Sequence, residues 1–552
     1  MNSPSLTSKK SILYLTVPIL FLVLFLLLPV LYTFYLSLTS KTGSLTFNNY
    51  ISILDSSLNR YFLYWTIQQA IITTIFCVII GLGGSYILAY YDIPAKQLIR
   101  NILTVPFLIP SIAVLIGFLT IYPINIIFSY SGIILANLFY NLPLMIRLTE
   151  VGWTSINPEY EIIAKSLKMS KVSYFIHVQL PHLLPFILTA SLLTFIYCFN
   201  SFAIVLVLGG VQYQTLEVRI YTLVLRLFEY NQASALAIIQ LLVNIGVIIT
   251  YLYFTFKYES KLTTFSYMKS QTKAYSSRSI HKKIFSSLII LFYSGLIFLI
   301  CMLPLIGVFY KSLMSKSDFS LISFENLFNY QIKNFIGLTS QNMIVNSLMY
   351  AACVLLISIL LALLLNFGLN YKTTTTGNPI FGMKSITNLI VILPLVVSAI
   401  TLIYSIFSLY RNTILFSQTS YVIIIAQVLL AFPFANRIIA TARASVNEEM
   451  LQVGRSLGLS RIQIFFKIEL PLLLPSILVA GIFSFAISLG EFASTNFVAR
   501  GNTATIPIGI YRLVTTRHLP EAAAFSSILI LLTLGIFILL ERIGKGTVDY
   551  KI

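Results

Sequence analysis

Residues 157–185 read NPEYEIIAKSLKMSKVSYFIHVQLPHLLP, and residues 447–475 read NEEMLQVGRSLGLSRIQIFFKIELPLLLP. The two stretches lie 290 residues apart and agree where chance rarely does. Asn157 meets Asn447, Glu159 meets Glu449, Ser166-Leu167 meets Ser456-Leu457, Ser170 meets Ser460, and Leu180-Pro181 meets Leu470-Pro471. Each reads as a short helix, a break and a second short helix. Leu-Pro is then expected to open a long apolar helix, since proline is tolerated where its missing N–H would have no partner. Gly458 supplies the break in the second copy; Lys168 holds that place in the first, which predicts a weaker break there. The short helices are amphipathic, with Ile162, Ile163 and Leu167 recurring at helical spacing beside Lys165 and Lys168.

The same offset extends outward. It pairs Pro143 with Pro433, Arg147 with Arg437, Phe202-Ala203 with Phe492-Ala493, Thr215 with Thr505 and Ile220-Tyr221 with Ile510-Tyr511, one ungapped register across about 90 residues. Composition says what kind of chain repeats itself. Of 552 residues, 58% are hydrophobic and 10% charged, with a mean hydropathy of +0.90. A soluble chain carries about a quarter of charged residues, so this chain belongs in a bilayer. Soluble enzymes, disulfide-rich secreted domains and disordered chains are excluded. The four cysteines, Cys77, Cys198, Cys301 and Cys353, lie unpaired in apolar stretches and read as packing residues.

A spanning helix needs about 20 apolar residues. Twelve candidates occur, at 11–38, 66–91, 101–122, 126–147, 183–208, 233–256, 285–310, 343–369, 386–409, 420–436, 472–490 and 522–541. The first follows Lys9 and Lys10 and is too long for a cleaved signal, so it is expected to be retained. The expected fold is an all-α polytopic membrane protein of two parallel six-helix repeats. Residues 1–256 form one half, 284–552 the other, and the basic, Ser/Thr-rich stretch 257–283 a cytoplasmic linker. With the N-terminus inside, cytoplasmic segments hold 25 of the 36 Lys and Arg residues, which fits the positive-inside rule and places both termini in the cytoplasm. The net charge of +19 then records orientation in a membrane, not affinity for nucleic acid. Contact with membrane lipid is expected.

The duplicated loop resembles the EAA loop of ABC-importer membrane subunits, which runs roughly E-A-A-x3-G-x9-I-x-L-P. In the second copy Gly458, Ile468, Leu470 and Pro471 fall on that motif, with Gln452-Val453-Gly454 where E-A-A stands. In the first, Ala164, Val178, Leu180 and Pro181 match, and Lys168 replaces the glycine. The resemblance implies a type I importer permease, fused from two halves, whose loops seat coupling helices in ATP-hydrolysing partners. The implied coupling residues are Glu159, Ala164, Lys168, Leu180 and Pro181, then Glu449, Gly454, Gly458, Leu470 and Pro471. A small residue at Ala164 or Gly454 is expected to let helix and partner groove approach. The implied partners are two copies of an ATP-binding subunit and an extracytoplasmic solute-binding protein. The chain itself is expected to be no enzyme and to hold no cofactor: no G-x4-G-K-[ST] occurs, and Gly544-Lys545-Gly546 is incomplete.

Further segments, 198–221 in the first half and 485–498 with 505–514 in the second, are similar to the fused permeases for thiamine and for ferric iron. The resemblance favours thiamine, with ferric iron or polyamines as alternatives. It directs attention to Asn200, Ser201 and Phe202 and to their counterparts Glu491 and Phe492 as pathway residues. Glu491 follows an apolar helix and reads either as a polar wall for a cationic solute or gate, or as an interfacial helix-end residue. Arg147 and Arg437 read as snorkelling cations at cytoplasmic helix ends. His177, His182, His281 and His518 are scattered and make neither a metal site nor a catalytic pair. An ion-coupled secondary transporter would call for charged or unwound mid-membrane helices in both halves, of which Glu491 alone gives a hint.

Overall fold

The computed structural model describes residues 5–91, 96–210, 212–263, 280–315, 318–329, 332–368, 393–394, 396–413 and 418–545. In chain order its principal helices are α1 (Tyr14–Ser37), α2 (Ser57–Tyr90), α3 (Lys96–Leu108), α4 (Ser111–Ile121) and α5 (Tyr130–Thr154). Then come α6 (Glu159–Ser166), α7 (Lys171–Phe199), α8 (Ala203–Leu208), α9 (Leu216–Leu225), α10 (Tyr230–Thr263) and α11 (Ile280–Leu313). The rest are α12 (Ser340–Gly368), α13 (Ala399–Tyr410), α14 (Thr419–Ala444), α15 (Glu448–Ser456), α16 (Arg461–Gly490), α17 (Ala493–Val498), α18 (Ile506–Thr515) and α19 (Leu519–Lys545). Strand is confined, among the described residues, to one two-residue pair, Met314–Ser315 with Asp318–Phe319. The chain is a polytopic all-α membrane protein.

Ten of these helices contain a stretch long and apolar enough to cross a membrane, against the twelve expected. The difference has local causes. Residues 101–122 are not one straight span: α3 and α4 meet at 106°. Pro110 stands between them, and proline has no N–H to carry a helix through. The span expected at 386–409 is described as the 12-residue α13, with 386–392 outside the described residues. The span expected at 183–208 begins earlier, at Lys171, and breaks at 200–202 before the short α8. Most of the linker, 264–279, also lies outside the described residues.

The repeat seen in sequence is a repeat of elements. Residue 290 positions on from the end of α5 is the end of α14, and α8, α9 and the break at 200–202 recur as α17, α18 and the break at 491–492. By packing, the chain divides into two compact units. One comprises Tyr50–Thr222 and Ile239–Ser320; the other comprises Met1–Asn49, Leu223–Ile238 and Leu321–Ile552. In the first, α2, α5 and α7 pack against one another, and α11 packs along α4. A methyl group on Gly117 of α4 would lie 1.7 Å from the Pro304 carbonyl oxygen of α11, so the two backbones meet where no Cβ intervenes. Cys77, Leu142, Met145, Ile297 and Cys301 form the apolar core there.

In the second unit, α12, α14 and α16 form the corresponding trio, and α1 lies along α12 and α13. Buried hydroxyls tie this group together. Thr33 Oγ1 donates to Ser405 Oγ at 2.9 Å, and Tyr404 Oη donates to the Tyr230 carbonyl at 2.7 Å. Such inter-helix bonds contribute about 0.6 kcal/mol each in a membrane. Packing therefore groups the helices differently from the sequence halves. The helix that opens each half, α1 or α11, is packed in the unit built on the other half's trio.

Candidate functional site

The duplicated loops take the same form in both copies. Asn157 Oδ1 accepts the Glu159 N–H at 3.0 Å, and Asn447 Oδ1 accepts the Glu449 N–H at 2.9 Å. Each side chain so placed satisfies a first-turn donor that has no partner inside the helix. α6 and α15 then end alike. The Met169 N–H reaches the Ala164 carbonyl (2.9 Å) and the Lys168 N–H the Lys165 carbonyl (3.0 Å). Leu459 to Gly454 (3.1 Å) and Gly458 to Arg455 (3.0 Å) repeat the pattern. This is a Schellman cap, which needs a left-handed residue just past the helix. Gly458 supplies it at φ +76°, and Lys168 supplies it at φ +53°. The weaker break expected at Lys168 is not found; the lysine takes the glycine's conformation and carries its strain.

The second helix of each loop starts at a serine cap. Ser170 Oγ accepts from the Ser173 N–H (3.1 Å), and Ser460 Oγ from the Gln463 N–H (3.3 Å). These helices do not end at Leu-Pro. They widen into a single π turn, Phe175–Gln179 or Phe465–Glu469, and run on as α7 and α16. Leu180-Pro181 and Leu470-Pro471 therefore follow a widened turn inside a continuous helix, where the missing proline N–H and the ring are accommodated. They do not open a new one.

Ala164 and Gly454 are buried, while their neighbours along the helices are exposed. A Cβ on Gly454 would lie 2.8 Å from Ile468 Cδ1 and 3.4 Å from Ile464 Cγ1. The small residue thus seats the loop helix on its own chain. Large apolar side chains are among those that face outward: Ile162, Ile163, Leu167 and Val172 in the first copy, and Met450, Val453, Leu457 and Ile462 in the second. Glu159, Glu449, Lys168 and Gly458 are exposed beside them. The copies differ at their base. Arg443 and the buried Glu469 pair at 3.1 Å in the second, where the first has Trp153 and Gln179. Arg461 donates to the Phe367 carbonyl at the end of α12 and lies over its ring at 4.7 Å.

The breaks that follow α7 and α16 hold the other expected residues. Phe202 and Phe492 are buried and meet Tyr221 and Tyr511 in matching ring pairs, at 5.4 and 5.3 Å. The Glu491 carboxylate accepts from the Ala493 N–H (3.2 Å), the Ser494 N–H (3.0 Å) and the Ser494 hydroxyl (2.5 Å). It caps α17 and is engaged by its own chain. Asn200 Oδ1 accepts from Gln240 Nε2 (2.9 Å) and Asn244 Nδ2 (3.2 Å).

Asn200, Ser201 and Phe202 also border a cavity of about 280 Å³ in the first unit, together with Ser111, Asn137, Tyr140, Asn141 and Tyr197. The sequence reading passed over Asn137 and Asn141. Their signal was available: two amides four residues apart occupy one face of the apolar stretch that opens this spanning helix, ahead of Arg147 and Glu150.

The family described as binding-protein-dependent transport system inner membrane component matches this chain twice, over residues 81–259 and 381–547. The thiamine transport system permease protein ThiP of Haemophilus influenzae is 23% identical over 86% of this chain and 86% of its own length. ThiP of Escherichia coli strain K12 is 22% identical over 90% of this chain and 91% of its own. The molybdenum transport system permease protein ModB of Escherichia coli strain K12 is 42% identical, but over 17% of this chain and 42% of its own length. The two family matches do not overlap and each contains one of the capped loops, so the chain belongs to the inner membrane components of binding-protein-dependent transport systems.

Proposed function

We propose that the chain is the fused permease of an ABC importer for thiamine, working with two copies of an ATP-binding subunit and an extracytoplasmic binding protein. One observation carries the coupling role. At matched positions in both halves, a short, rigidly capped helix turns a row of bare apolar side chains outward, among them Leu167, 69% exposed, and Leu457, 74% exposed. Large apolar groups grouped on a charged loop mark a docking surface. Two such helices in one chain call for two ATPase copies. The excess of basic residues in the loops between 147 and 171, in 257–283 and between 437 and 467 supports a cytoplasmic position for these helices and for both termini. ATP-driven closure of the partners would move α6 and α15, and with them α7 and α16, which continue each loop without interruption. Membrane lipid surrounds the spans.

The ligand rests on the full-length likeness to two thiamine permeases, which reaches across both halves, whereas the likeness to the molybdenum permease covers one short stretch. Uptake of labelled thiamine and of labelled ferric iron is to be measured in cells carrying the whole system, with and without this chain. Chain-dependent thiamine uptake is expected. Iron uptake without thiamine uptake would reverse the assignment.

A further inference from the structure

The cavity of about 280 Å³ is framed by α5, the end of α7 and the starts of α4 and α8, and among the described residues no charged side chain lines it. Its polar atoms are unevenly used. Ser201 Oγ is buried and has no hydrogen-bond partner among the described residues, and the residue is 7% exposed. The Asn137 amide nitrogen donates to Gln69 Oε1 (3.1 Å), and that of Asn141 donates to the Asn137 carbonyl (2.9 Å). These bonds fix both amides with their oxygens as acceptors, and among the described residues nothing donates to either oxygen. Asn200 is held the other way round. Its oxygen is taken by Gln240 and Asn244, which leaves the amide nitrogen as a donor. Tyr140, Tyr197 and Phe202 add aromatic walls.

A buried hydroxyl without a partner is costly, and pockets that bind small solutes combine apolar walls with a few fixed polar groups. Two amide oxygens, one amide nitrogen and the unpartnered Ser201 hydroxyl, beside the hydroxyl-bearing Ser111, Tyr140 and Tyr197 and without charge, match a planar heterocycle that carries an exocyclic amine beside a ring nitrogen. The second half does not repeat the set. Gln427 stands for Asn137, but Thr495 and Ser488 occupy its amide, and Ala431 stands for Asn141. The arrangement is therefore not a packing device common to both repeats.

We propose that this cavity is a solute-recognition site of the permease itself, reading the uncharged aminopyrimidine edge of the transported molecule. The proposal rests on the thiamine reading for the identity of that heterocycle. It is tested with the full chain purified in lipid nanodiscs, carrying Ser201→Cys with Cys353→Ala; Cys77, Cys198 and Cys301 are buried. The rate of labelling by a small thiol reagent is measured with thiamine, with its free aminopyrimidine alcohol and with its free thiazole alcohol. Thiamine and the aminopyrimidine are expected to slow labelling at least threefold, and the thiazole to leave it unchanged. A second variant, Leu144→Trp, enlarges a side chain that lines the cavity and should abolish thiamine uptake while the chain stays in the membrane at its normal level. Wild-type uptake of thiamine with no protection by any probe, or a Ser201→Cys chain that never labels, would overturn the cavity assignment alone. Protection by the thiazole instead would overturn the choice of heterocycle. No thiamine uptake by the wild-type system would overturn the reading on which the ligand rests.

Discussion

Lys168 and Gly458 occupy one structural position with different side chains, and that position sets a measurable cost. A residue with a Cβ in the left-handed region loses about 1 kcal/mol relative to glycine. Lys168 bears that cost at φ +53° and Gly458 does not at φ +76°. Lys168→Gly is therefore expected to raise the thermal midpoint of the detergent-solubilised chain, and Gly458→Lys to lower it by a similar amount. Unfolding followed by size-exclusion fluorescence reads both, and a midpoint unmoved by either substitution would contradict the cap geometry. Gly454 is constrained differently. Its neighbour is Ile468 Cδ1, the end of a flexible side chain, so Gly454→Ala should cost about 1 kcal/mol, within the range for mild overpacking. Gly454→Glu would drive charge into the chain's own core. Loss of function in that variant would report misfolding of the loop, which makes it a poor probe of partner binding.

The informative substitutions at the level of the element are on the outward face of α6 and α15. Leu167→Asp combined with Leu457→Asp removes apolar surface that the chain does not bury, so its own stability should change by less than about 0.5 kcal/mol. Retention of the ATP-binding subunit in pull-downs should fall at least tenfold, with loss of stimulated ATP hydrolysis in proteoliposomes. Wild-type retention with wild-type hydrolysis would refute the coupling role. The sequence made these elements legible because Asn, Ser, Gly and Pro punctuate backbone, and their duplication at one offset separates signal from the Leu and Ile background. Two things were hidden. Periodicity does not tell which small residue faces inward, so Gly454 read as a contact for a partner when it packs on Ile468. Nor does a proline reveal whether the helix begins there or has merely widened before it, as at Phe175–Gln179 and Phe465–Glu469. Asn137 and Asn141 were legible by spacing alone, yet the orientation of their amides is set by Gln69 and by the Asn137 carbonyl, contacts that no spacing reveals.

For the molecule as a whole, the assignment of α1 and α11 makes a firm statement about the linker. Each compact unit draws helices from both sides of it: α1 with α12 and α13 in one, α11 with α3 and α4 in the other. A chain cut between residues 268 and 269 interrupts none of the described helices, but neither fragment alone can complete a unit. Fragment 269–552 expressed alone would leave Ser405 and Tyr404 without Thr33, Ser234 and Tyr230. Fragment 1–268 expressed alone would leave Gly117 without the Pro304 backbone that its missing side chain admits. Buried hydroxyls and a close backbone contact left open in this way should make each fragment short-lived in the membrane. Co-expressed, the fragments should restore each other, because the exchanged helices supply the contacts whether or not a covalent tie runs through 257–283. Co-purification of 1–268 with 269–552 and recovery of uptake are therefore expected, with each fragment degraded when made alone. If 269–552 by itself purifies as a stable single species, α1 is not a working part of its unit. If both fragments persist together yet never associate, the linker does more than join the halves.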